Sequence, residues 1–268
     1  MKQAFTAAAI QMVSGASLQQ NLAEAGRLVG LAAERGVSFA ALPEYFCLMG
    51  KQEADKLAIA ETPGEGIIQD SLAELAHRHG IWLSSGSIPL VSPDSGRVFN
   101  TQLIYAPSGD QIARYDKIHL FSFRRGEENY DEARGIVPGK SVARVETDLA
   151  TLGLSICYDL RFPELYRALG EVDLILVPSA FTYTTGQAHW EILLRARAIE
   201  NQCYVLAPAQ GGRHENGRRT WGHSMLIDPW GEVVDVLAEH AGIVSGTIDP
   251  LRLQEVRESL PALKHRTL

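Results

Sequence analysis

The chain has 268 residues, of which 46% are hydrophobic and 21% are charged, the balance of a globular protein rather than a disordered one. Its formal net charge of −7 excludes the basic surface that nucleic acid or an anionic membrane would require. No stretch approaches the roughly 18 uninterrupted apolar residues of a membrane span, and the N-terminal segment, which Gln11 interrupts, reads as a strand rather than a signal peptide.

Three cysteines, Cys47, Cys157 and Cys203, are too few and too scattered to form a disulfide framework. Reduced thiols are typical of the cytoplasm, where we therefore expect the protein to reside.

The first part of the chain alternates strands with amphipathic helices. We predict a strand over 5–12, a helix over 18–35 stopped by Gly36, a strand over 37–42, a helix over 67–79 stopped by Gly80, and a strand over 81–90.

The remainder mixes hairpins with strand–helix units. We predict hairpin strands over 98–105 and 111–115, a strand over 152–156, a helix over 163–169, a strand over 172–177, a helix over 187–201, a strand over 204–207, a hairpin over 224–227 and 233–237, a strand over 243–248 and a helix from Pro250. The Gly- and Arg-rich residues 211–219 read as a loop. This order indicates one α/β domain over 1–268 with a mixed sheet.

Three residues with useful chemistry follow predicted strands. Cys157 stands at a strand-to-helix elbow, where a side chain is exposed and backbone N–H groups are left for an oxyanion. Glu44 ends a buried strand, and Lys117 lies between Tyr115 and Ile118. Each alone is more simply explained as a buried inert thiol, a solvated carboxylate or a surface lysine. Together they supply the thiol, base and cation needed for acyl transfer.

Three motifs, in this order, resemble those of the nitrilase superfamily of carbon–nitrogen hydrolases. They are Leu42-Pro43-Glu44, Tyr115-Asp116-Lys117-Ile118-His119-Leu120 and Ile156-Cys157-Tyr158-Asp159-Leu160-Arg161-Phe162-Pro163-Glu164. The resemblance implies an α-β-β-α sandwich that pairs into homodimers or higher oligomers, with dimer contacts over 188–200 and 251–268. It also implies a Glu44–Lys117–Cys157 triad, and a second glutamate that matches Glu132.

The implied chemistry hydrolyses an amide through a cysteine thioester, without a metal or another cofactor. Glu44 would take the thiol proton, and Lys117 with the Tyr158 backbone N–H would hold the oxyanion. Glu132 would orient Lys117 or the substrate.

The region from Pro178 to Gly231 is similar to the branch of small-acid amidases that includes deaminated glutathione amidase and omega-amidase. In that branch Arg161 would bind a substrate carboxylate, and Phe181 and Thr185 would complete the pocket. Pairing of Arg161 with Asp159 or Glu164 is an equal alternative. Residues 123–130 depart from the expected pattern, which puts the substrate in question if they border the pocket.

We therefore expect a small carboxylate-bearing amide as substrate, most simply of the deaminated glutathione type. An omega-amidase and a catalytically silent scaffold are the alternatives. A nitrile hydrolase and a thiol protease fit the motifs less well, since the segment after Ala180 resembles amidases and no histidine lies in a base context.

Overall fold

The computed structural model describes residues 1, 3–52, 54–126 and 128–267. Its strands are β1 (Phe5–Gln11), β2 (Phe39–Ala41), β3 (Trp82–Ser84), β4 (Ile88–Val91), β5 (Val98–Tyr105), β6 (Gln111–Asp116), β7 (Ser122–Arg125), β8 (Glu128–Asp131), β9 (Arg144–Glu146), β10 (Thr151–Leu154), β11 (Leu174–Leu176), β12 (Tyr204–Ala207), β13 (Gly211–Arg213), β14 (Arg219–Trp221), β15 (Ser224–Ile227), β16 (Val233–Leu237) and β17 (Gly242–Ile248). Its α-helices are α1 (Leu18–Glu34), α2 (Ala54–Ala58), α3 (Ile67–His79), α4 (Pro163–Ala168), α5 (Tyr183–Asn201) and α6 (Pro250–Ser259). Short 3-10 helices cover Glu132–Arg134, Cys157–Arg161 and Ala262–His265.

Two large sheets organise the described chain. The first has the order β17-β1-β2-β3-β5-β4 with β6 paired to β5, and the second has the order β16-β15-β12-β11-β10-β9. Strands β1, β2 and β3 are parallel, as are β10, β11 and β12, whereas the outer strands pair antiparallel. Both sheets are therefore mixed, as the order of elements predicted.

The alternation of side chains along β1 explains how the layers stack. Ala7 and Ala9 belong to the same apolar cluster as Leu152 and Leu174 of the second sheet. Ala8 and Ile10 point the other way, into a cluster that includes Leu28 of α1 and Leu72 of α3. Successive strand residues face opposite sides of a sheet, so the first sheet lies between the second sheet and α1 with α3.

Helix α5 covers the opposite face of the second sheet, where Trp190, Leu194 and Ala198 join its core. The four layers form an α-β-β-α sandwich, which confirms the expected fold class. In the described ranges no helix is long and apolar enough to cross a membrane.

Two elements differ from the sequence expectation by more than a shift of one or two residues at an end. The strand expected over 81–90 is divided into β3 and β4 because Gly86 adopts a φ of 63° between them. A Cβ at Gly86 would lie 2.1 Å from the Pro43 carbonyl oxygen, so only glycine permits this close approach beside Glu44. Helix α5 begins four residues earlier than expected, because the Thr182 hydroxyl accepts the Thr185 N–H at 3.3 Å and caps it.

Other elements were not predicted, among them β9. Where a plain loop was expected over 211–219, β13 and β14 form a hairpin that extends to Trp221. Strand β7 pairs with β8 across the divergent segment 123–130, of which Glu127 lies outside the described residues. The short helix α2 was also missed. These elements are too short for hydrophobic periodicity to reveal.

Candidate active site

The ends of several strands converge on one buried centre. Glu44 follows β2, Lys117 follows β6, and Cys157 and Ala180 come after the neighbouring parallel strands β10 and β11. Polar groups at the carboxyl ends of parallel strands gather in this way in open α/β sheets. The structure thus brings together residues that are up to 136 positions apart in sequence.

Cys157 occupies the strand-to-helix elbow that its sequence context indicated. Its φ is 51°, a left-handed conformation that non-glycine residues rarely adopt, and its residue surface is 7% exposed. The Cys157 N–H donates to the Pro178 carbonyl oxygen at 3.0 Å, whereas the next N–H, that of Tyr158, makes no hydrogen bond with a described residue. One backbone donor beside the thiol is therefore available to a ligand.

Glu44 and Lys117 form a buried ion pair. Lys117 Nζ donates to Glu44 Oε1 at 2.8 Å, and both side chains are almost completely shielded from solvent. Asn100 Nδ2 donates to the same oxygen at 2.9 Å, and the Ala180 N–H donates to Glu44 Oε2 at 2.9 Å. A carboxylate oxygen can accept two hydrogen bonds, so Oε2 retains capacity to accept a proton from a neighbour.

Glu132 holds Lys117 from the other side. Its Oε2 accepts Lys117 Nζ at 2.8 Å and the Phe121 N–H at 2.8 Å, and its Oε1 accepts the Tyr45 hydroxyl at 3.1 Å. Two of the three N–H groups of Lys117 therefore donate to described carboxylates, which leaves the third for a substrate oxygen.

The electrostatic environment fixes the charge states of this centre. Burial disfavours the charge on Lys117, but the carboxylates of Glu132 and Glu44 overcome that effect and hold its pKa well above the usual value. Burial likewise opposes ionisation of Glu132, but Lys117 outweighs it and lowers the Glu132 pKa. Burial, reinforced by Glu44, raises the pKa of Cys157 well above that of a free thiol, although Lys117 acts against them. The resting thiol is therefore protonated and needs a base.

A small pocket opens onto Cys157. The predicted residues that line it are Glu44, Glu132, Cys157, Tyr158, Arg161, Phe181 and Thr185, while Lys117 lies buried behind Glu44 and Glu132. The pocket is narrow, since the volume open to a water-sized molecule is only about 10 Å³. Among the described residues no group of three or more His, Cys, Asp or Glu side chains is arranged to hold a metal ion.

Arg161 does not pair with Asp159 or Glu164, which corrects that alternative. The Asp159 carboxylate instead accepts hydrogen bonds from the Tyr115 hydroxyl at 2.7 Å and from the His119 N–H at 3.0 Å. The Arg161 guanidinium lies 5.4 Å from the centre of the Phe181 ring, and its Nη1 is 3.2 Å from His189 Nδ1. No described carboxylate neutralises it.

Sequence reasoning missed other residues of the site. Phe121, Ala180, Thr182 and Arg218 also line the pocket. Arg218 was hidden because its segment resembled an ordinary surface loop. Asn100 carried a usable signal, since a buried amide within β5 needs partners and could have been assigned to a neighbouring carboxylate.

The chain belongs to the carbon-nitrogen hydrolase family, whose profile matches residues 6–258. It is 42% identical over 268 residues to the deaminated glutathione amidase of Synechocystis sp., covering 98% of each chain. The crystal structure of yeast Nit3, a member of branch 10 of the nitrilase superfamily, is similar with a TM-score of 0.90 at 28% identity, covering 99% of this chain and 97% of that one.

A third solved structure shows reactive chemistry in a relative. It is an amidase variant from Nesterenkonia sp. in which acrylamide has added to the active-site cysteine, with a TM-score of 0.78 and 26% identity over 96% of this chain and 98% of that one. Family membership confirms the class of enzyme predicted from the three motifs, a carbon–nitrogen hydrolase of the nitrilase superfamily.

Proposed function

We propose that this protein is an amidase of the deaminated glutathione type, which hydrolyses a small carboxylate-bearing amide through a thioester on Cys157. The observation that carries the proposal is the buried Glu44–Lys117–Glu132 chain of ion pairs, with both Lys117 contacts at 2.8 Å, beside the Cys157 thiol. The 42% identity to the Synechocystis deaminated glutathione amidase over nearly the whole chain supports the substrate type.

In the first half of the reaction Glu44 removes the Cys157 thiol proton, and the thiolate sulfur attacks the amide carbonyl carbon. The carbonyl π-electrons move to oxygen, giving a tetrahedral oxyanion. The third N–H of Lys117 and the unpaired N–H of Tyr158 stabilise that charge. Glu44 returns its proton to the leaving nitrogen as the C–N bond breaks, which leaves an acyl thioester.

In the second half Glu44 accepts a proton from water, and the resulting hydroxide attacks the thioester carbonyl. The second oxyanion collapses, the C–S bond breaks, and the sulfur regains a proton from Glu44. Glu132 touches no reacting atom in this scheme. It is a positioning residue, because it orients Lys117 and keeps it charged.

Arg161 is the group we assign to the carboxylate on the acyl side of the substrate. It faces the pocket with no described counter-ion, between the rings of Tyr158 and Phe181. A guanidinium matches a carboxylate through two parallel hydrogen bonds. Phe181 and Thr185 complete the wall beside it.

The alternatives make different predictions in one panel of substrates assayed for release of ammonia or amine. Deaminated glutathione, an ω-amide of an α-keto dicarboxylic acid and a simple nitrile would be compared. We expect the highest kcat/KM for deaminated glutathione. Preference for the keto-acid amide would identify an omega-amidase instead, and no turnover of any compound would indicate a silent scaffold.

We also propose a cytoplasmic homodimer formed through residues 188–200 and the C-terminal region 251–268, of which Leu268 lies outside the described residues. Ile192 and Leu251, one in each of these regions, are 70% and 72% exposed, and a dimer contact there would cover them. The three free cysteines suit a reducing compartment. Light scattering should give twice the monomer mass at micromolar concentration, and a monomer would refute the dimer.

A further inference from the structure

The catalytic centre takes its groups from both large sheets. Lys117 follows β6 of the first sheet, whereas Cys157 and Tyr158 follow β10 of the second. In the proposed reaction the third N–H of Lys117 and the Tyr158 N–H reach the substrate oxygen while the Cys157 sulfur attacks the adjoining carbon. Such geometry tolerates little error, since a misplacement of about 1 Å costs about hundredfold in rate. The rate therefore depends on how the two sheets are held relative to each other at this point.

One buried carboxylate connects the two segments directly. Asp159 is completely buried and accepts the Ile156 N–H at 2.9 Å on the cysteine side of the centre. From the lysine side it accepts the Tyr115 hydroxyl at 2.7 Å and the His119 N–H at 3.0 Å, and His119 Nδ1 lies 2.7 Å from its Oδ1. Tyr115 and His119 stand two residues before and two residues after Lys117. We call these contacts of Asp159 the Asp159 link.

The same carboxylate holds the turn around the nucleophile. Ile156 and Asp159 stand on either side of Cys157, whose φ of 51° is a conformation that persists only where surrounding contacts fix it. The hydrogen bond from Ile156 to Asp159 spans this turn. Asp159 therefore fixes Cys157 on one side and brackets Lys117 on the other, although it is not among the residues that line the catalytic pocket.

The donors of the Asp159 link are themselves held in place. Burial, and then the Asp159 carboxylate, raise the pKa of Tyr115, so its hydroxyl stays protonated and donates. The His119 ring stacks on Phe162 with the ring centres 3.7 Å apart, which fixes the direction of Nδ1. Hydrogen bonds to a charged group are stronger than those between neutral groups, and a water-poor interior strengthens them further. The link is therefore stiffer than a pairing at the surface would be.

We propose that Asp159 is a positioning residue, which sets the distance between the Cys157 sulfur and the Lys117 ammonium so that both act on one carbonyl group. This inference rests on the proposed amidase function and adds to it the residue that aligns the two halves of the centre. Asp159 touches no reacting atom. Without the link the Cys157 turn and the Lys117 segment move relative to each other, which slows formation of the oxyanion more than it weakens substrate binding.

Tyr115→Phe is the mildest test, because it removes one hydrogen bond of the link and keeps the aromatic ring. It should lower kcat for deaminated glutathione by about tenfold with little change in KM, since Tyr115 does not line the catalytic pocket. The matched control is Tyr166→Phe. Tyr166 is as deeply buried, but its hydroxyl donates to Ser155 Oγ at 3.0 Å and so joins two residues on the cysteine side. This variant should keep kcat within about twofold of the wild type.

Asp159→Asn is the direct test. It should lower kcat by about hundredfold or more, because the amide keeps one acceptor oxygen and turns an NH₂ group toward the donors of the link. Circular dichroism would verify that the variant folds. If it does not fold, His119→Phe keeps an aromatic ring to stack on Phe162 and removes the Nδ1 donor. That change should lower kcat by about threefold.

Labelling of Cys157 by methyl methanethiosulfonate separates alignment with Lys117 from disruption of the cysteine itself. The Cys157 sulfur attacks the reagent's thiomethyl sulfur, a new S–S bond forms, the old one breaks with loss of methanesulfinate, and Glu44 takes the thiol proton. No carbonyl oxyanion forms, so this reaction does not need Lys117. In Tyr115→Phe the labelling rate, followed on the Cys157 peptide by mass spectrometry, should stay within about threefold of the wild type.

Three results would overturn the positioning role. Equal falls in turnover and labelling in Tyr115→Phe would mean that the Cys157 turn itself is disturbed, not its distance from Lys117. A fall in kcat in Tyr166→Phe as large as in Tyr115→Phe would mean that the loss does not depend on the link. The third is an unchanged kcat in folded Asp159→Asn. All three leave the amidase assignment intact, whereas a wild type that hydrolyses no amide would overturn that assignment and this inference together.

Discussion

Lys117 in the catalytic centre and Arg218 at the pocket wall differ in how their positive charges are balanced. Lys117 is fully buried between two carboxylates, each 2.8 Å away. The Arg218 guanidinium, by contrast, interacts only with a carbonyl oxygen and a ring among the described residues. A preorganised, already neutralised centre suits bond breaking, because its dipoles need not reorganise as charge develops. A cation without a counter-ion suits recognition, because a ligand supplies the missing charge.

Replacement of Cys157 has the largest expected effect on the catalytic side of this comparison. Cys157→Ala should reduce kcat/KM for the preferred amide by at least about thousandfold, because Cys157 supplies the only thiol among the described residues that line the pocket. Cys203→Ala is the matched control, since burial also raises the pKa of that thiol, to about 12, and Cys203 is not among the residues that line the catalytic pocket. Circular dichroism would verify that both variants fold. Substantial turnover by folded Cys157→Ala would remove Cys157 from the mechanism.

Removal of the Glu132 carboxylate tests whether its ion pair with Lys117 affects the reaction rate. Glu132→Gln should lower kcat by about hundredfold with little change in KM, since it loosens Lys117 at the oxyanion without touching substrate. Tyr45→Phe removes the hydroxyl that donates to Glu132 and accepts Asn100 Nδ2 at 3.0 Å, and it should cost less than about tenfold. Steady-state kinetics that show a change in KM alone would contradict a positioning role.

On the recognition side, Arg161→Lys retains the charge but loses the bidentate geometry. It should lower kcat/KM for a substrate with an acyl-side carboxylate by about ten- to hundredfold. A matched substrate with a neutral group in place of that carboxylate should lose far less. Equal losses for the two substrates would mean that Arg161 does not bind the carboxylate.

The smallest effect concerns the support of the hairpin that carries Arg218. Buried His214 lies 2.9 Å from the Ser14 carbonyl oxygen and 2.8 Å from the Thr220 hydroxyl. Burial lowers its pKa to about 4, and Arg218 adds to the shift, although the bond to Ser14 opposes both. As pH falls, His214 therefore binds a proton in the unfolded chain before it does so in the folded chain. The contribution of neutral His214 to the stability of the fold is thus present above about pH 6.5 and is lost toward pH 4.

Through His214, the free energy of unfolding should be about 2 kcal/mol lower at pH 5 than at pH 7. His214→Asn should accordingly show a smaller fall in Tm between pH 7 and pH 5 than the wild type. His240→Asn, at an exposed position, is the control and should leave the pH dependence unchanged. An identical pH dependence in all three proteins would show that His214 does not titrate in this range.

The sequence indicated the catalytic centre better than its surroundings for a physical reason. Glu44, Lys117 and Cys157 follow buried strands whose apolar runs are easy to recognise, and strand ends of an α/β fold collect functional groups. The mixed sheets and the elbow at Cys157 followed from the same patterns. Those patterns did not show that the chain forms two sheets, because side-chain alternation does not tell which strands pair.

The positions of Arg218 and Arg161 at the pocket could not be predicted, because they depend on strand pairing and side-chain contacts rather than on a local sequence pattern. Arg218 resembled any arginine in a Gly-rich turn, and only the β13–β14 pairing directs it to Ala180. Arg161 was ambiguous because Asp159 is close in sequence. In the folded chain the Asp159 carboxylate accepts hydrogen bonds from Tyr115 and His119, residues about 40 positions away.

The central claim is that the reaction proceeds through a thioester on Cys157, and rapid-quench mass spectrometry tests it most directly. Enzyme mixed with excess amide would be quenched in acid within one turnover and digested for peptide mapping. The account predicts that the mass of the acyl group appears on the peptide that contains Cys157 and is absent from those with Cys47 and Cys203. An acyl group on either of those cysteines, or full turnover with no adduct on any cysteine under conditions that preserve a thioester, would contradict it.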